Sequence, residues 1–388
     1  MIACVLLVWA VIATAVSVAG QGTGSAAARS SGNELLASIP FEESGSSVFL
    51  PVSVNGSPPL WFNLDSGANT CLIDVSHAKQ FGIELQETKQ GSGAGAGPVT
   101  YFTIRKEGAS FTLKSIVFGC EHTAAIDLSQ NFAITGHDLD GVIGSDFFER
   151  FVVEIDYEAR LVRLFDPKNF EYKGSGETVP ITFEKRLPHI EAELTVPGQP
   201  PQHKLLLVDS GSEDAVDDEI ILKSAGPKRE VTGGVGLGQE YKVTFGIISQ
   251  FRVGRIALDN LPSVAPGVSL VGGEVLRRFT IVFDFGRRRM YWEPNRHLAD
   301  LFENIDPSGI DLRLAPDRRT LSIHEVQKNS AAERAGLRAG DRISEIDGVP
   351  APEFGLRRVV KLFSRKNAHY ALVVERGGER VRLSLDLD

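Results

Sequence analysis

Cysteine is scarce in this sequence, and blocks of like charge are nearly absent. Only 3 of its 388 residues are cysteines, and neither Cys71 nor Cys120 has neighbours at the spacing of a zinc site, so a cysteine-based metal domain is excluded. Lysines and arginines are mixed with the acids, and the formal net charge is −9. The run Arg287-Arg288-Arg289 follows a strand pattern and is expected to form a solvated turn. No nucleic acid is therefore expected among the partners.

Several catalytic motifs are also missing. No Gly-x-Ser-x-Gly elbow occurs, and residues 273–279 lack the lysine and hydroxyl residues of a phosphate loop. His324-Glu325 has no second histidine at the spacing of a zinc-protease helix, and it lies in a strand-like run. The Gly-x-Gly pairs are not followed by a helix pattern. These absences argue against serine hydrolases, zinc proteases and dinucleotide-binding enzymes.

Only the N-terminal stretch is apolar enough to enter a membrane. Residues 1–20 are almost wholly apolar and end in small residues suited to cleavage, which predicts a secretory signal peptide. The positively charged region that usually begins such a peptide is missing, so an uncleaved membrane anchor is the alternative. Both interpretations place the bulk of the protein outside the cytoplasm, in a periplasmic or extracellular compartment.

Export bears on the two remaining cysteines. In an oxidising compartment a disulfide between Cys71 and Cys120 becomes feasible. Cys71, however, begins the apolar run Cys71-Leu72-Ile73 that leaves the first Asp-Ser-Gly loop, and it is expected to pack as a small apolar residue on that strand.

What the chain does have is the tripeptide Asp-Ser-Gly twice, each time at the end of an apolar run. The copies are Asp65-Ser66-Gly67 and Asp209-Ser210-Gly211. An acid directly after a buried strand costs free energy unless something uses or satisfies it. A single copy would be ordinary turn chemistry. Two copies in this setting indicate that the acids work as a pair.

The surroundings of the two tripeptides repeat as well. Each tripeptide is followed by a glycine-rich stretch, then by two apolar residues and a glycine, then by a phenylalanine and an acid at identical spacing. The landmarks are residues 91–97, Val142-Ile143-Gly144, Phe151 and Asp156 in the first half, and residues 233–238, Leu270-Val271-Gly272, Phe279 and Asp284 in the second. A tandem pair of all-β lobes is therefore predicted.

These residues resemble the aspartic proteases, specifically the retropepsin-like group, over roughly residues 39–297. The resemblance implies a mainly β fold, with two tandem acid-protease β-barrel lobes forming a bilobal protease within one chain. It implies that Asp65 and Asp209 form a catalytic dyad. One carboxylate would take a proton from water while the other carboxyl donates to the substrate carbonyl. No metal and no organic cofactor is required by this chemistry.

The same resemblance assigns supporting roles. Ser66 and Ser210 are expected to hydrogen-bond across the two loops and hold the carboxylates coplanar. Gly67 and Gly211 are expected to let the backbone turn tightly beside each acid. The glycine-rich stretches are expected to form flaps over the cleft, with flexible surface loops as the alternative. The flap glycines are Gly93, Gly95, Gly97, Gly236 and Gly238.

The segment after the second loop is unlike the segment after the first. Residues 213–218 carry four acids, and negative charge near Asp209 favours its protonated form. The run could assign the acid role to the second lobe, or it could mean that this lobe is partly degenerate. The alternative function is therefore a catalytically silent peptide-binding scaffold built on a protease fold.

A different signature covers residues 308–388. A short helix pattern capped by glycine, a Gly-Asp before a strand and a tight Asp-Gly turn resemble a PDZ domain of the bacterial protease-associated kind. The resemblance implies a small β-sandwich with helices that binds C-terminal peptides by strand addition. Amides near Gly309 would hold the peptide carboxylate, and Ile310 and Leu312 would line the terminal pocket. The alternative is a domain that only packs on the protease.

The sequence thus predicts an exported aspartic endopeptidase that acts on polypeptides and recruits them through its PDZ domain. The predicted boundaries are a signal peptide at 1–20, a flexible tether at 21–35, lobe 1 at 36–167, a linker at 168–178, lobe 2 at 179–297 and the PDZ domain at 305–388.

Overall fold

The computed structural model describes residues 34–91, 93, 97–233, 240–302 and 307–387. The predicted signal peptide, nearly all of the predicted tether, and the flap glycines Gly95, Gly236 and Gly238 lie outside the described residues. Strands hold 49% of the described residues and helices 14%, so the prediction of a mainly β chain is confirmed. Within these ranges, no helix has both the length and the apolar character needed to span a membrane.

The first half of the chain folds into short strands interrupted by three brief helices. Asp74 begins the first helix, because its carboxylate accepts a hydrogen bond from the Ser76 amide at 2.8 Å. Gly136, in the left-handed conformation, ends the second. The elements are β1 (Leu35–Pro40), β2 (Glu42–Ser44), β3 (Ser47–Val54), β4 (Leu60–Leu64), β5 (Cys71–Asp74), α1 (Val75–Gln80), β6 (Leu85–Gly91), β7 (Val99–Ile104), β8 (Phe111–Leu113), β9 (Ile116–Phe118), β10 (Thr123–Ile126), α2 (Asn131–Thr135), β11 (Gly141–Ile143), α3 (Ser145–Arg150), β12 (Val152–Asp156) and β13 (Leu161–Phe165).

The second half repeats this pattern with longer strands. The predicted turn after its Asp284 is present, with Arg288 in the left-handed conformation. The elements are β14 (Glu177–Pro180), β15 (Thr182–Glu184), β16 (Leu187–Thr195), β17 (Gln202–Asp209), β18 (Val216–Asp217), β19 (Arg229–Gly233), β20 (Tyr241–Val253), β21 (Ile256–Ala265), β22 (Leu270–Gly272), α4 (Gly273–Leu276), β23 (Phe279–Asp284) and β24 (Arg289–Pro294).

The C-terminal region has a sheet and a hydrophobic core of its own. Leu321, Val359 and Phe363 are among the side chains that fill this core. His324-Glu325 lies in a strand, as predicted. The elements are β25 (Ile310–Leu314), β26 (Leu321–Val326), α5 (Ala331–Arg334), β27 (Arg342–Ile346), β28 (Val349–Pro350), α6 (Leu356–Phe363), β29 (Ala368–Arg376) and β30 (Glu379–Leu387).

The two halves share one strand arrangement around the Asp-Ser-Gly tripeptides. In the first half β11 pairs parallel with β4 and antiparallel with β5. In the second half β22 pairs parallel with β17 and antiparallel with β18. The apolar-apolar-Gly elements therefore pass beside the strands that lead into the two acids. This equivalence agrees with the tandem lobes that the repeated landmarks predict.

A sheet shared by both halves joins the lobes. Its strand order is β1-β13-β12-β23-β24-β14, so the central antiparallel pair is β12 with β23. Val153 and Phe283, which face each other in this pair, are fully buried. A single hydrophobic core runs through both lobes. Burial of this apolar surface fixes the relative position of the lobes and hence of the loops that each carries.

The expectation that Cys71 packs as a free apolar residue is wrong. Cys71 forms a disulfide with Cys120, and their Cα atoms lie 6.2 Å apart. The cause is the parallel pairing of β5 with β10, which sets Cys71 opposite Thr123 and so brings Cys120 within bonding reach. That pairing joins segments that are distant along the chain, so the sequence alone left both states open.

The disulfide is expected to stabilise the first lobe strongly. It closes a loop with a sequence separation of 49, and loops of that size restrict the unfolded chain enough to contribute about 2–4 kcal/mol. Chemical denaturation with and without reductant should show this loss in free energy of unfolding. The Cys71→Ala/Cys120→Ala double variant should be equally destabilised and insensitive to reductant. Equal denaturation midpoints for the oxidised and reduced protein would contradict the expectation.

Candidate active site

The two Asp-Ser-Gly loops meet and are held together by their serines. The Ser66 hydroxyl donates to the Val208 carbonyl at 2.7 Å and accepts from the Ser210 amide at 3.0 Å. The Ser210 hydroxyl donates to the Leu64 carbonyl at 2.8 Å and accepts from the Ser66 amide at 3.0 Å. Both serines are fully buried. These reciprocal bonds lock the two loops in one arrangement.

The same loops bring the carboxyl groups of Asp65 and Asp209 together. The two side chains share a hydrogen bond and remain partly exposed. The Gly67 amide donates to Asp65 Oδ1 at 2.7 Å. The amides of Gly211 and Ser212 donate to Asp209 Oδ1 at 2.9 and 3.0 Å. Each carboxyl is thus oriented by its own loop and faces the other.

The close approach of the two loops requires glycine at the third position of each tripeptide. Neither Gly67 nor Gly211 has a positive φ. A Cβ on Gly67 would lie 2.6 Å from the carboxylate oxygens of Asp209, and one on Gly211 would lie 2.5 Å from Asp65 Oδ2. Each glycine therefore makes room for the acid of the opposite loop. Both tripeptides form turns, as predicted, and the space between the loops adds a second requirement for glycine.

Burial and mutual charge separate the two carboxyls electrostatically. Loss of solvent raises the pKa of Asp65 well above its ordinary 3.8, and the charge and hydrogen bond of Asp209 raise it further. Burial also raises the pKa of Asp209, but its hydrogen bonds to Asp65 and to the Gly211 and Ser212 amides oppose the rise. The pKa of both carboxyls is therefore raised, and the pair as a unit keeps a proton at pH values where isolated carboxyls have lost theirs.

The acidic run acts on Asp209 in the direction that the sequence suggests. The charge of Asp214 does raise the pKa of Asp209, in the predicted direction. It ranks below burial and below the hydrogen bonds that favour the ionised form of Asp209. The acidic run therefore contributes to the raised pKa of Asp209 without being its main cause.

Structural partners account for the buried end of the acidic run. Asp217 Oδ1 accepts from the Val264 amide at 2.9 Å. Asp218 accepts from the Ile220 amide at 2.8 Å and forms an ion pair with Lys204 at 2.9 Å. Asp218 and Asp217 thus hold the backbone of lobe 2 in place at Ile220 and at Val264, respectively.

The exposed end of the run is also paired. Asp214 accepts from the Ser212 hydroxyl at 3.1 Å, and Glu213 forms an ion pair with Arg357 of the C-terminal region. Sequence reasoning missed Arg357. Its partner lies 144 positions away, and a single arginine in a helix carries no signal of a distant contact.

Asp217 is expected to cost stability at neutral pH. Burial and the charge of Asp214 raise its pKa well above 3.8, so ionisation in the folded state is unfavourable. Folding stability should fall as the pH rises from 3.8 through that raised value. Asp217→Asn keeps an acceptor for the Val264 amide and should stabilise the protein by about 1 kcal/mol at pH 7, with the gain vanishing near pH 4.

Urea denaturation at both pH values measures the effect of Asp217→Asn. The neighbouring Asp218→Asn variant is the matched control, because loss of the Lys204 ion pair should lower stability at pH 7. A destabilised Asp217→Asn at neutral pH would contradict the assignment.

The predicted flap segments lie at the ends of two hairpins. β6 pairs antiparallel with β7 down to Gly91 opposite Val99, and β19 pairs with β20 down to Gly233 opposite Tyr241. Gly97 has a φ of +79°, which suits the turn of the first hairpin. Gly93 lies between these strands, whereas the other predicted flap glycines lie outside the described residues. That the hairpins move as flaps stays a prediction.

The predicted peptide-carboxylate loop precedes β25. Gly309 has a φ of +68°, and a Cβ there would collide with Ser330, so glycine is required. The Ile310 amide donates to the Ser308 hydroxyl at 3.2 Å. Ile310 and Leu312 are buried in the core of the C-terminal region. In the described sheet β25 is the terminal strand, with β26 as its partner.

Among the residues that the structure describes, two groups of side chains have the donor types of a metal site. Cys71, Cys120 and Asp146 form the first, but the sulfurs are joined covalently and offer no thiolate. Glu240, Asp311 and His324 form the second. Arg313 makes ion pairs with both acids of that group, so a cationic guanidinium already occupies the place beside their carboxylates. Neither group suits a cation.

Comparison with known families agrees with this geometry. The family described as "Aspartyl protease" matches residues 50–147, a segment that includes Asp65 and the Val142-Ile143-Gly144 element. The PDZ domain family matches residues 303–375. The chain carries an aspartyl protease domain and a C-terminal PDZ domain. Asp209, in the second Asp-Ser-Gly loop, lies outside the matched segment of the aspartyl protease family.

Curated relatives are similar to this chain through the PDZ domain. "Regulator of sigma-E protease RseP" of Salmonella typhimurium is 36% identical over 94 residues, which are 24% of this chain and 21% of the relative. The protein of the same name from Escherichia coli is 32% identical over 119 residues, which are 30% of this chain and 26% of the relative. The chain thus spans about a quarter of the length of these relatives or less.

Proposed function

We propose that this protein is an aspartic endopeptidase in which Asp65 and Asp209 activate a water molecule. The observation that carries the proposal is the pair of carboxyls that face each other between loops locked by Ser66 and Ser210. Two carboxyls in contact cannot both ionise, so they act as one acid and one base. The match to the aspartyl protease family supports the same activity.

The chemistry needs one ionised and one protonated carboxyl, and the proposal assigns these roles to Asp209 and Asp65. Asp209 takes a proton from water, whose oxygen forms a bond to the carbonyl carbon of the substrate, while Asp65 gives its proton to the carbonyl oxygen. The resulting tetrahedral diol then collapses. Its carbon–nitrogen bond breaks as the nitrogen takes a proton from Asp209 and a hydroxyl proton returns to Asp65. The products are a carboxylic acid and an amine, and the pair again holds one proton.

The scaffold alternative rested on the acidic run after Asp209. That run has structural partners: Asp217 and Asp218 fix backbone of lobe 2, and Glu213 pairs with Arg357. These structural roles explain the acids without any loss of catalytic function in lobe 2. The observation favours the enzyme.

Export and recruitment are part of the proposal. The disulfide between Cys71 and Cys120 suits an oxidising compartment, which supports a periplasmic or extracellular location. A PDZ domain with an edge strand next to a helix suits the binding of extended C-terminal peptides, which would bring polypeptide substrates to the protease.

Digestion of an unbiased peptide library across pH tests the activity. The rate should be bell-shaped, because the pair has no base when both acids are protonated and no acid when both are ionised. Since the pKa of Asp65 is well above 3.8, the falling limb should lie correspondingly above that value. Cleavage should persist with a chelator. Absence of cleavage at every pH, or its loss on chelation, would overturn the proposal.

A further inference from the structure

The PDZ domain docks on both protease lobes through polar contacts that reach the neighbourhood of the dyad. On lobe 1 it contacts α2 and the residues just after it. On lobe 2 it contacts Glu213, four positions after Asp209, and the stem of the β19–β20 hairpin. The polar pairs are Arg357 with Glu213, Arg318 with Asp138, Arg313 with Glu240, and Lys242 with Glu325.

Helix α2 of lobe 1 closes one end of the PDZ peptide groove. The groove runs between β25 and α6, with Gly309 at its carboxylate end. At the opposite end, a Cβ on Gly136 would lie 3.3 Å from Leu356 Cβ and 3.8 Å from Leu314 Cδ1. Leu314 ends β25 and Leu356 begins α6. The backbone that terminates α2 therefore lies between the two walls of the groove.

Phe132 anchors α2 at this end of the groove. Its half-buried ring packs against the hydrophobic core of the PDZ domain, and the Arg318 guanidinium lies 3.6 Å from the ring centroid. A cation over an aromatic face adds to the apolar contact. Arg318 also pairs with Asp138, two positions after Gly136. Lobe 1 thus supplies both an apolar anchor and an ion pair.

Arg357, at the start of α6 of the PDZ domain, makes hydrogen bonds to both protease lobes. Its Nε donates to the Thr135 carbonyl at 2.7 Å and to the Ser44 hydroxyl at 3.1 Å, both in lobe 1. Its Nη1 donates to Glu213 of lobe 2 at 2.6 Å. One guanidinium on a groove wall therefore joins the end of α2 to the segment after Asp209.

The PDZ domain also holds the second hairpin. Glu325 on β26 accepts from Lys242 at 2.6 Å and from the Thr232 hydroxyl. Thr232 and Lys242 are paired residues of β19 and β20, next to the turn of the hairpin. The sequence predicts that this hairpin is a flap. If it is, the docked PDZ domain restrains its motion.

We propose that docking of the PDZ domain and binding of an extended peptide in its groove exclude each other. The ligand is a peptide with a free C-terminal carboxylate that is long enough to run past Leu314. Binding expels α2, breaks the bonds of Arg357 and Glu325 to the protease, and frees the β19–β20 hairpin. The docked chain is the resting state, and the peptide opens it. The effect on cleavage rests on the proposed function, but the competition for the groove does not.

Geometry sets the length of peptide that competes. A peptide added to β25 advances about 3.4 Å per residue, so its last three residues occupy the carboxylate end and stop short of Leu314. An octapeptide extends beyond the 5 residues of β25 and must meet Gly136 and Phe132. A comparison of the two lengths therefore distinguishes two cases. Competition with α2 weakens binding of the octapeptide alone, whereas a groove of low intrinsic affinity binds both peptides weakly.

Fluorescence anisotropy of labelled peptides tests the competition directly. The full chain carries Asp65→Asn, so that no peptide is cut, and the probes are an octapeptide and a tripeptide that end in valine. An apparent affinity is lowered by the fraction of molecules whose site is closed, so Phe132→Ala should tighten octapeptide binding about tenfold and leave tripeptide binding unchanged. The octapeptide with a C-terminal amide should bind weakly to every variant.

Two further variants keep the test decisive. Val117→Ala, a truncation at an exposed site of lobe 1, should leave both affinities unchanged. Asp138→Asn removes the ion pair with Arg318 but no packing, so it should tighten octapeptide binding about threefold even if Phe132→Ala fails to fold. Equal octapeptide affinities in the parent chain and both α2 variants would overturn the inference.

Activity tests the consequence for the hairpin. In the chain with Asp65 intact, the octapeptide should raise the initial rate of cleavage of a short reporter peptide several-fold. Phe132→Ala should raise it without added peptide. The octapeptide could compete with α2 in the binding assay and still leave the cleavage rate of an active enzyme unchanged. That result would refute the link to the hairpin. A chain that binds as expected but cuts nothing would refute the proposed function and leave the competition standing.

Discussion

Asparagine at either Asp65 or Asp209 should abolish peptide cleavage while the fold persists. Asparagine keeps the shape and an acceptor for the loop amides but can neither take the proton of water nor hold the shared one. General acid–base groups contribute about 10²–10⁴-fold each, and groups acting as a unit fail together, so a loss of at least about 10³-fold is expected for each variant. The measurement is kcat/KM on a fluorogenic peptide.

The Asp65→Asn/Asp209→Asn double variant should be no worse than either single one. Asp127→Asn, at an exposed aspartate of lobe 1, is the control and should retain parent activity. Circular dichroism should show the same strand content in every variant. Parent-level cleavage by either dyad variant would remove that acid from the mechanism.

Alanine at Gly211 should damage both the site and the fold. The added methyl would lie 2.5 Å from Asp65 Oδ2, and neither locked loop can yield without breaking bonds of Ser66 and Ser210. Overpacking of this kind costs about 1–3 kcal/mol. Displacing a catalytic carboxyl by a fraction of an ångström to 1 Å can cost about 10²-fold in rate. We therefore expect a loss in unfolding free energy and a roughly hundredfold loss in kcat.

Gly119→Ala provides the matched control for Gly211→Ala. No heavy atom lies within 4 Å of a Cβ built there, and its φ is not positive, so the substitution should be nearly neutral. Gly67→Ala should behave like Gly211→Ala, because its methyl would meet Asp209. Unchanged stability and kcat in Gly211→Ala would show that the loops adjust and that the glycine is dispensable.

The tandem lobes and the cross-loop bonds were predictable because their signals are local. An apolar run that ends in Asp-Ser-Gly marks a strand followed by a turn wherever it occurs, and the spacing of Asp156 and Asp284 marks the strands that join the lobes. Ser66 and Ser210 sit one position after each acid, so their partners followed from the family that the motif resembles.

Features that depend on distances between remote segments were not predictable. The need for glycine at Gly67 comes from Asp209 on the other loop, which only the assembled lobes bring near. The disulfide follows from the parallel pairing of β5 with β10, a choice that no local pattern specifies. Docking of the PDZ domain depends on single contacts such as Phe132 with the PDZ core and Arg357 with Glu213, and such contacts leave no periodic trace in the sequence.

Titration of the full chain with a statine-type transition-state mimic tests the central claim most directly. If one chain builds one site from Asp65 and Asp209, cleavage should fall linearly to zero at one equivalent of inhibitor per chain. Asp209→Asn should no longer bind the mimic tightly. An endpoint at one inhibitor per two chains, or cleavage that the mimic leaves untouched, would contradict a dyad formed within a single chain.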